Sequence, residues 1–327
     1  MLKHDVVRGA VPITNVTVCV CTMKRLGELA RLLEALLDQD VTDDFRFSVV
    51  VVDNDVARTA RSIVDEYLDR RGDVEVEYVV EPVASISRAR NRALDAVSGD
   101  AVAFIDDDER PVKGWLKRLV ATLNANGADM VVGPVVPAFE PGTANWIVRS
   151  KVFDRDRYRS GMEIGYRDAR TGNVLIRRSA IEPANGSLRF DEELGSTGGE
   201  DSLFFQRLLR RGAKALWCDE AEVYERIPLS RASVAYLVKR WFQAGISSAL
   251  IAKKMRGMHA AYLEAAKGVL LVTCGSALGI VLTPISLTRA ALWMRKAVSG
   301  AGKIAFLFGC RFGLYAPNQG IRKAIDA

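Results

Sequence analysis

The sequence predicts an α/β fold: a Rossmann-like, mostly parallel central sheet with helices on both faces, followed by a basic helical region at the C-terminus. Three observations predict it. Short apolar, β-branched runs alternate with amphipathic helical patterns through the first two thirds of the chain, as successive βαβ units require. Several of those runs stop abruptly at polar residues, which is how the carboxyl ends of buried parallel strands look. Charge then divides the chain: from Arg226 onward 15 Lys and Arg face 2 Asp and Glu, leaving 31 against 38 before it. A basic part that meets something anionic is thereby joined to an acidic part suited to holding metal. With 327 residues and 49% hydrophobic content, the chain can bury a large domain plus an appendage, and a disordered protein is excluded.

The elements follow in order. Val16–Cys21, Phe47–Val52, Val74–Val80, Ala101–Ile105 and Met130–Val136 read as five strands. Between the first two, Leu26, Leu29, Leu32, Leu33, Leu36 and Leu37 recur at helical spacing, and Ile63, Val64, Tyr67 and Leu68 repeat that rhythm after the second. Ser85 is placed to cap a helix that carries Arg88, Arg90 and Arg92. Arginines at a helix N-terminus are opposed by the helix dipole, so this is either a basic face or a phosphate-binding one. Asn145–Gly165 mixes aromatic and basic residues without periodicity and reads as a loop. Gly172–Arg178 forms a further strand, and from Ser202 a helix runs to Gly212 with Glu200 and Asp201 at its opening. Ala215–Cys218 and Ala221–Tyr224 are two more short strands.

From Ser233 the pattern turns helical and basic as far as Arg256. Gly268–Thr288 then holds 21 positions without a charge, long enough to span a membrane of about 20 residues' thickness. Its glycines, hydroxyls and Pro284 leave open a span, a re-entrant or interfacial helix, and an ordinary buried helix. A second apolar patch, Ile304–Leu314, is interrupted by Arg311 and suits an interface. Because the basic residues coincide with apolar segments and no recognition motif for nucleic acid appears, lipid is the expected anionic partner and nucleic acid is not. The five cysteines form no CxxC pair, which suits a reducing compartment with thiols packed as small apolar groups. The first fifteen residues show no secretory signal.

The densest concentration of chemistry is Asp106-Asp107-Asp108-Glu109, directly after the strand ending Phe104-Ile105. Crowded hard oxygen donors at a strand's carboxyl end suit magnesium or manganese, which also hold substrate phosphates; taken alone, the run is equally a solvated acidic loop. Polar residues also close the first strand at Thr22–Arg25 and the second at Asp53-Asn54-Asp55. Neither G-x-G-x-x-G nor a P-loop pattern is present, so a dinucleotide fold and a P-loop NTPase are not supported.

Taken in order, VCVCTMKR, VVVDND, SRARNRAL, FIDDDERP, TGNVLIRR, FDEELGSTGGED and AEVYERIP resemble the motif series of the inverting family 2 glycosyltransferases, which have the GT-A fold. The likeness covers roughly residues 16–256 and is nearest to bacterial exopolysaccharide and succinoglycan-type glucosyltransferases. It implies a GT-A catalytic domain over residues 1–230 and a membrane-associated helical region over 231–327. It implies transfer of one sugar from a nucleotide-sugar donor, most simply UDP-linked, to a polyprenyl-diphosphate-linked saccharide. The implied location is the cytoplasmic face of the plasma membrane, held peripherally or by one C-terminal segment. By the same resemblance a divalent cation, manganese or magnesium, sits at a DxD motif, with Asp108 a direct ligand and Asp106 a supporting one. Thr22, Asp53, Arg90, Asp106, Asp107 and Arg240 would bind the nucleotide sugar. Asp201 would be the general base, with Glu200 placing hydroxyls beside it. Carboxylates are weak bases at neutral pH, so proton transfer late in an oxocarbenium-like step is expected.

Two departures from the family stand out. Glu225 occupies the place where many relatives carry a histidine; it is an acceptable oxygen ligand for the metal, but adds charge to an acidic site. Arg240-Trp241 lacks the glutamine of the processive Q-x-x-R-W motif, Leu237 standing there instead, which argues for single addition. Trp241 is either part of that motif or a membrane-interface anchor. Two other functions fit some of the same residues: a nucleotidyltransferase acting on a sugar phosphate, and a non-catalytic scaffold that docks on membrane.

Overall fold

The computed structural model describes residues 11–40, 42, 44–69, 74–183 and 186–310. Along the chain come β1 (Asn15–Thr22), α1 (Leu26–Leu37), β2 (Arg46–Asp53), α2 (Arg61–Asp69), β3 (Glu75–Val80), α3 (Ile86–Asp95), β4 (Ala101–Asp106) and β5 (Glu109–Pro111). They are followed by α4 (Trp115–Ala125), β6 (Met130–Val132), β7 (Val135–Phe139), α5 (Asn145–Ser150), β8 (Asn173–Arg177), α6 (Arg178–Ile181), α7 (Glu200–Arg210), β9 (Ala215–Trp217) and β10 (Val223–Ile227). Three long helices close the described chain: α8 (Val234–Arg256), α9 (Met258–Leu282) and α10 (Leu287–Leu307). Two compact units result, one of Met1–Val136, Arg155–Asp191 and Phe204–Glu225, the other of Pro137–Asp154, Glu192–Leu203 and Arg226–Ala327.

The first unit is built on a seven-stranded sheet in the order β3-β2-β1-β4-β8-β6-β9. All pairings are parallel except those of β8, which runs antiparallel to both β4 and β6. Alternation along the strands makes two cores. Val18 and Val20 of β1 and Ala103 and Ile105 of β4 pack with Leu29, Leu33, Leu116 and Leu119 from α1 and α4. Their neighbours Cys19, Val102 and Phe104 face the other way, among Ala89 and Ala93 of α3 and Phe204, Phe205 and Leu208 of α7. This is the period-2 alternation of strands with helices on both faces.

Several boundaries differ from the sequence reading. The expected strand Met130–Val136 is two strands, because Gly133-Pro134 turns the chain out of the large sheet into a small one ordered β5-β10-β7. Glycine is required there: a Cβ on residue 133 would stand 2.2 Å from the Ala221 carbonyl oxygen. Within Asn145–Gly165, read as loop, residues Asn145–Ser150 form α5. Helix α4 was not expected, although Trp115, Leu116, Leu119, Val120 and Leu123 bury one face of it. Ser85 does cap α3, accepting from the Arg88 N–H.

The second unit gathers α8, α9 and α10 with α5. Trp241 and Leu237 of α8 are buried with Ile147, Phe153, Ile227 and Ala291, so Trp241 is a core residue and not an interfacial anchor. The charge-free Gly268–Thr288 stretch is not one helix: α9 ends at Leu282, Pro284 lies in the turn, and Ser286 caps α10 by accepting from the Arg289 N–H. Among the described residues, Met258–Leu282 is the one helix long and apolar enough, by length and composition, to cross a membrane. Cys274 is exposed on it, whereas Cys19 and Cys218 are buried as expected. Residues 1–10, on which the absence of a secretory signal was read, and residues 311–314 of the second apolar patch lie outside the described residues.

Candidate functional site

In the strand order β3-β2-β1-β4 the chain reverses direction of travel across the sheet between β1 and β4, and open α/β sheets bind ligands beyond the carboxyl ends of the strands at such a point. Register places the residues. Thr22 pairs with Asp53, and the preceding Cys21 pairs with Asp106, so three neighbouring strands end at one level of the sheet, with Thr22 and Asp53 on one face and Asp106 beside Cys21 on the other.

The three carboxylates after β4 differ in what holds them. Asp107 turns inward and is 5% exposed; its two oxygens accept from Thr22 Oγ1 at 2.8 Å and from Arg25 Nη1 at 2.8 Å. Burial above all, with the charge of Asp108 beside it, pushes the Asp107 carboxyl up to about 6, against the pull of Arg25 and Thr22. Asp106 and Asp108 are the outer pair. Asp106 Oδ1 lies 3.4 Å from Arg90 Nη2, and Asp108 Oδ2 accepts from Arg25 Nη1 at 3.1 Å. Arg90 itself is buried, with its guanidinium over the Phe190 ring.

Glu109 lies beneath this turn. It is buried, and its Oε2 accepts from the Asp106 N–H at 3.0 Å, which fixes the backbone from which the outer carboxylates project. Burial, and then the charges of Asp106 and Glu225, hold its carboxyl well above the usual range. Glu225 pairs with Glu109 across the β5–β10 ladder, and Arg155 stands 3.8 Å from its Oε2. Burial likewise pushes the Cys21 thiol up to about 12, so it is inert packing and not a nucleophile.

Asp53 is fully buried. Its oxygens accept from the Asp55 N–H at 3.1 Å, the Ala60 N–H at 2.8 Å and the Tyr78 hydroxyl at 2.8 Å. Next to it Asn54 donates to the Glu81 and Val83 carbonyls and accepts from the Ser85 N–H, tying the end of β2 to the loop that starts α3. Asp53→Ala is expected to lower stability by roughly 2–4 kcal/mol, because three donors lose one acceptor. Thermal denaturation measures it; an unchanged melting point would leave Asp53 with no part in holding this loop.

In the second unit, Glu200 and Asp201 open α7, where the helix dipole favours acids. Asp201 Oδ1 accepts from the Ser202 N–H at 2.6 Å. The preceding glycines are held by Ser247 of α8, whose hydroxyl donates to the Gly198 carbonyl at 2.9 Å. Arg240, also on α8, lies over the Phe153 ring.

The structure thus brings Thr22, Asp53, Arg90, Asp106, Asp107 and Asp108 together at one end of the sheet. Sequence reasoning assigned no role to Arg25 or Tyr78. Arg25 was visible as the last of the polar residues after β1, but nothing in its spacing shows that it reaches across to β4. Lys24, before it, adopts a left-handed φ of 58°, a conformation rare outside glycine and common at functional turns.

Comparison with known proteins converges on one group. The chain matches the family described as Glycosyl transferase family 2 over residues 17–183, and Glycosyl transferase family group 2 over residues 101–310. It is 36% identical to the succinoglycan biosynthesis protein ExoM of Rhizobium meliloti, across 91% of this chain and 94% of that protein. A glucosyl-dolichyl phosphate glucuronosyltransferase of Haloferax volcanii is 25% identical across 71% of this chain and 75% of its own length. Among solved structures, the mannosyltransferase PcManGT from Pyrobaculum calidifontis, in complex with GDP-Man and Mn2+, superposes with a TM-score of 0.61 at 18% identity, covering 92% of this chain and 89% of that one. S. aureus TarS 1-349 in complex with UDP-GlcNAc gives 0.54 at 17% identity, covering 96% and 100%. At such identities the structural likeness speaks for the fold.

Proposed function

Because the chain belongs to glycosyl transferase family 2, we propose that it is a metal-dependent, inverting enzyme that moves a single sugar from a nucleotide sugar, most simply UDP-linked, onto a lipid-linked saccharide. The observation that carries this reading is the meeting of Thr22, Asp53 and the Asp106–Asp108 run at the ends of three neighbouring strands at the switch point of the sheet, with Arg90 and Arg25 against that run. Its acceptor side is supported by the likeness to a succinoglycan biosynthesis protein.

Among the described residues no three carboxylate, imidazole or thiol groups come together in a way that would hold an ion. Magnesium-like ions usually take only one or two protein carboxylates and fill the rest of their shell with substrate phosphates and water. Asp106 and Asp108 fit that demand: both are hard oxygen donors, and the inward turn of Asp107 leaves them as the outer pair. Glu225, which pairs with Glu109, would support the site from the next strand. A bound manganese or magnesium ion would neutralise charge on the departing diphosphate.

The chain's own groups do the rest. Arg90 places positive charge beside the diphosphate, and Arg240 is a second candidate for binding the nucleotide sugar. Asp107 sets the positions of Thr22 and Arg25, and Asp53 shapes the base side of the pocket. Asp201 takes the proton of the acceptor hydroxyl as that oxygen attacks the anomeric carbon opposite the leaving diphosphate, and Glu200 orients hydroxyls. Inversion follows from attack on the opposite face.

A donor screen in the presence of membrane lipid extract tests the proposal. The expected result is a glycosylated lipid and release of a nucleoside diphosphate, with turnover lost on chelation and restored by manganese. Release of pyrophosphate would instead identify a nucleotidyltransferase, and turnover indifferent to chelator would remove the metal.

A further inference from the structure

Helices α9 and α10 form an antiparallel hairpin. Gly268 and Gly300 approach so closely that a Cβ on either would stand 2.6 Å from the other's carbonyl oxygen, and Gly275 and Gly279 meet Ala297 and Met294 in the same way. At the base of the hairpin Glu264, on α9, is buried and paired with Lys303 of α10 and Lys267 of its own helix. The opposite face of α9 is exposed and, apart from Lys267, mostly apolar. Tyr262, Val269 and Ile280 follow at spacings of seven and eleven, as do Leu263, Leu270 and Val281, so both sets fall on one side of the helix. Leu270 is 63% and Ile280 70% exposed.

We propose that this hairpin lies in the plane of one anionic lipid leaflet, with the outer face of α9 against the acyl chains and the basic residues of α10 at headgroup level, and that it does not cross. The proposal deepens the membrane part of the proposed function and rests on it. Two features weigh against a span, although the whole of α9 is long enough for one. The charge-free part of α9, from Gly268 to Leu282, is about 22 Å long at 1.5 Å per residue, short of a hydrocarbon core of about 30 Å. Because α10 packs back along α9, with Met294 against Gly279 and Ala297 against Gly275, a crossing α9 would also carry Arg295 and Lys296 into the hydrocarbon, where ionised side chains are costly. Charge names the occupant. No Asp or Glu occurs from Ala265 to Cys310, while Arg289 and Lys296 are exposed seven residues apart on one face of α10. That surface attracts anionic headgroups and repels a second copy of itself. An apolar face with a basic neighbour is the composition of helices that rest in the interface.

Flotation of the full chain with vesicles of phosphatidylcholine alone, or with phosphatidylglycerol added, tests this. Binding to the anionic vesicles is expected to be about tenfold or more tighter than to the neutral ones, and to be released by an alkaline carbonate wash. Leu270→Asp combined with Ile280→Asp should weaken binding to both by about tenfold or more; Arg289→Glu with Lys296→Glu should erase the preference for anionic lipid. All four positions are exposed, and an unchanged circular dichroism spectrum confirms folding. Resistance of the wild-type protein to carbonate would overturn the interfacial placement in favour of a span. Absence of flotation with either vesicle would remove lipid as the occupant, and dimers in light scattering would then assign the face to a second copy. UDP binding measured on the same samples separates the two readings: retained UDP binding without flotation ends the membrane part alone, and flotation without UDP binding ends the donor assignment alone.

Discussion

Replacing Asp108 by alanine should lower kcat by about a thousandfold, roughly 4 kcal/mol of transition-state stabilisation, while leaving the melting temperature nearly unchanged. The size follows from the role proposed for it. Charge builds on the diphosphate as the glycosidic bond breaks, and a lost carboxylate donor weakens the ion that meets that charge. The selectivity follows from the structure: Asp108 is partly exposed and bonded to the exposed Arg25, whereas Asp107 is buried. Asp107 supplies the contrast. Its oxygens hold Thr22 and Arg25 from a buried position, so Asp107→Ala should unfold at lower temperature by an amount equivalent to about 1–3 kcal/mol. The check is a manganese titration of turnover alongside thermal melts for both variants. Full turnover in Asp108→Ala would sink the metal assignment.

The second large effect is expected at Asp201. Asp201→Asn keeps an oxygen to accept the Ser202 N–H, so the start of α7 survives, but it removes the capacity to accept a proton. A general base contributes about 10²–10⁴-fold, and kcat should fall within that range while donor affinity stays the same. Steady-state rates at saturating donor, together with calorimetric UDP binding, separate the two quantities. If kcat holds and the acceptor KM rises instead, Asp201 binds the acceptor and another group takes the proton.

Much of the fold could be read between β1 and β4, where β1, β2 and β4 are predominantly apolar runs and α1 and α2 carry apolar residues at helical spacing. There local pattern and tertiary environment agree, because strands covered on both faces are mostly apolar along their length. Legibility failed where one run serves two sheets. Met130–Val136 is uniformly apolar apart from Gly133-Pro134, and only the approach of the Ala221 carbonyl shows why residue 133 must be glycine. It failed again at α9 and α10, since apolar content alone does not distinguish a helix facing lipid from one facing another helix, and the turn at Pro284 falls inside the uncharged stretch.

The candidate site divides in the same manner. Sequence by itself determined the residue types and their order: Thr22, Asp53 and Asp106 close their strands, where the backbone leaves the sheet and polar side chains take over, and Arg90 follows on the capped helix α3. Tertiary structure alone decided which of three adjacent carboxylates turns inward, since that depends on Thr22 and Arg25 arriving from a strand more than eighty residues earlier. It alone made Trp241 a core residue, through Ile147, Phe153 and Ile227 on separate segments. It also showed the outer face of α9 to be bare, because exposure is a property of what packs alongside a helix and not of the helix's own sequence.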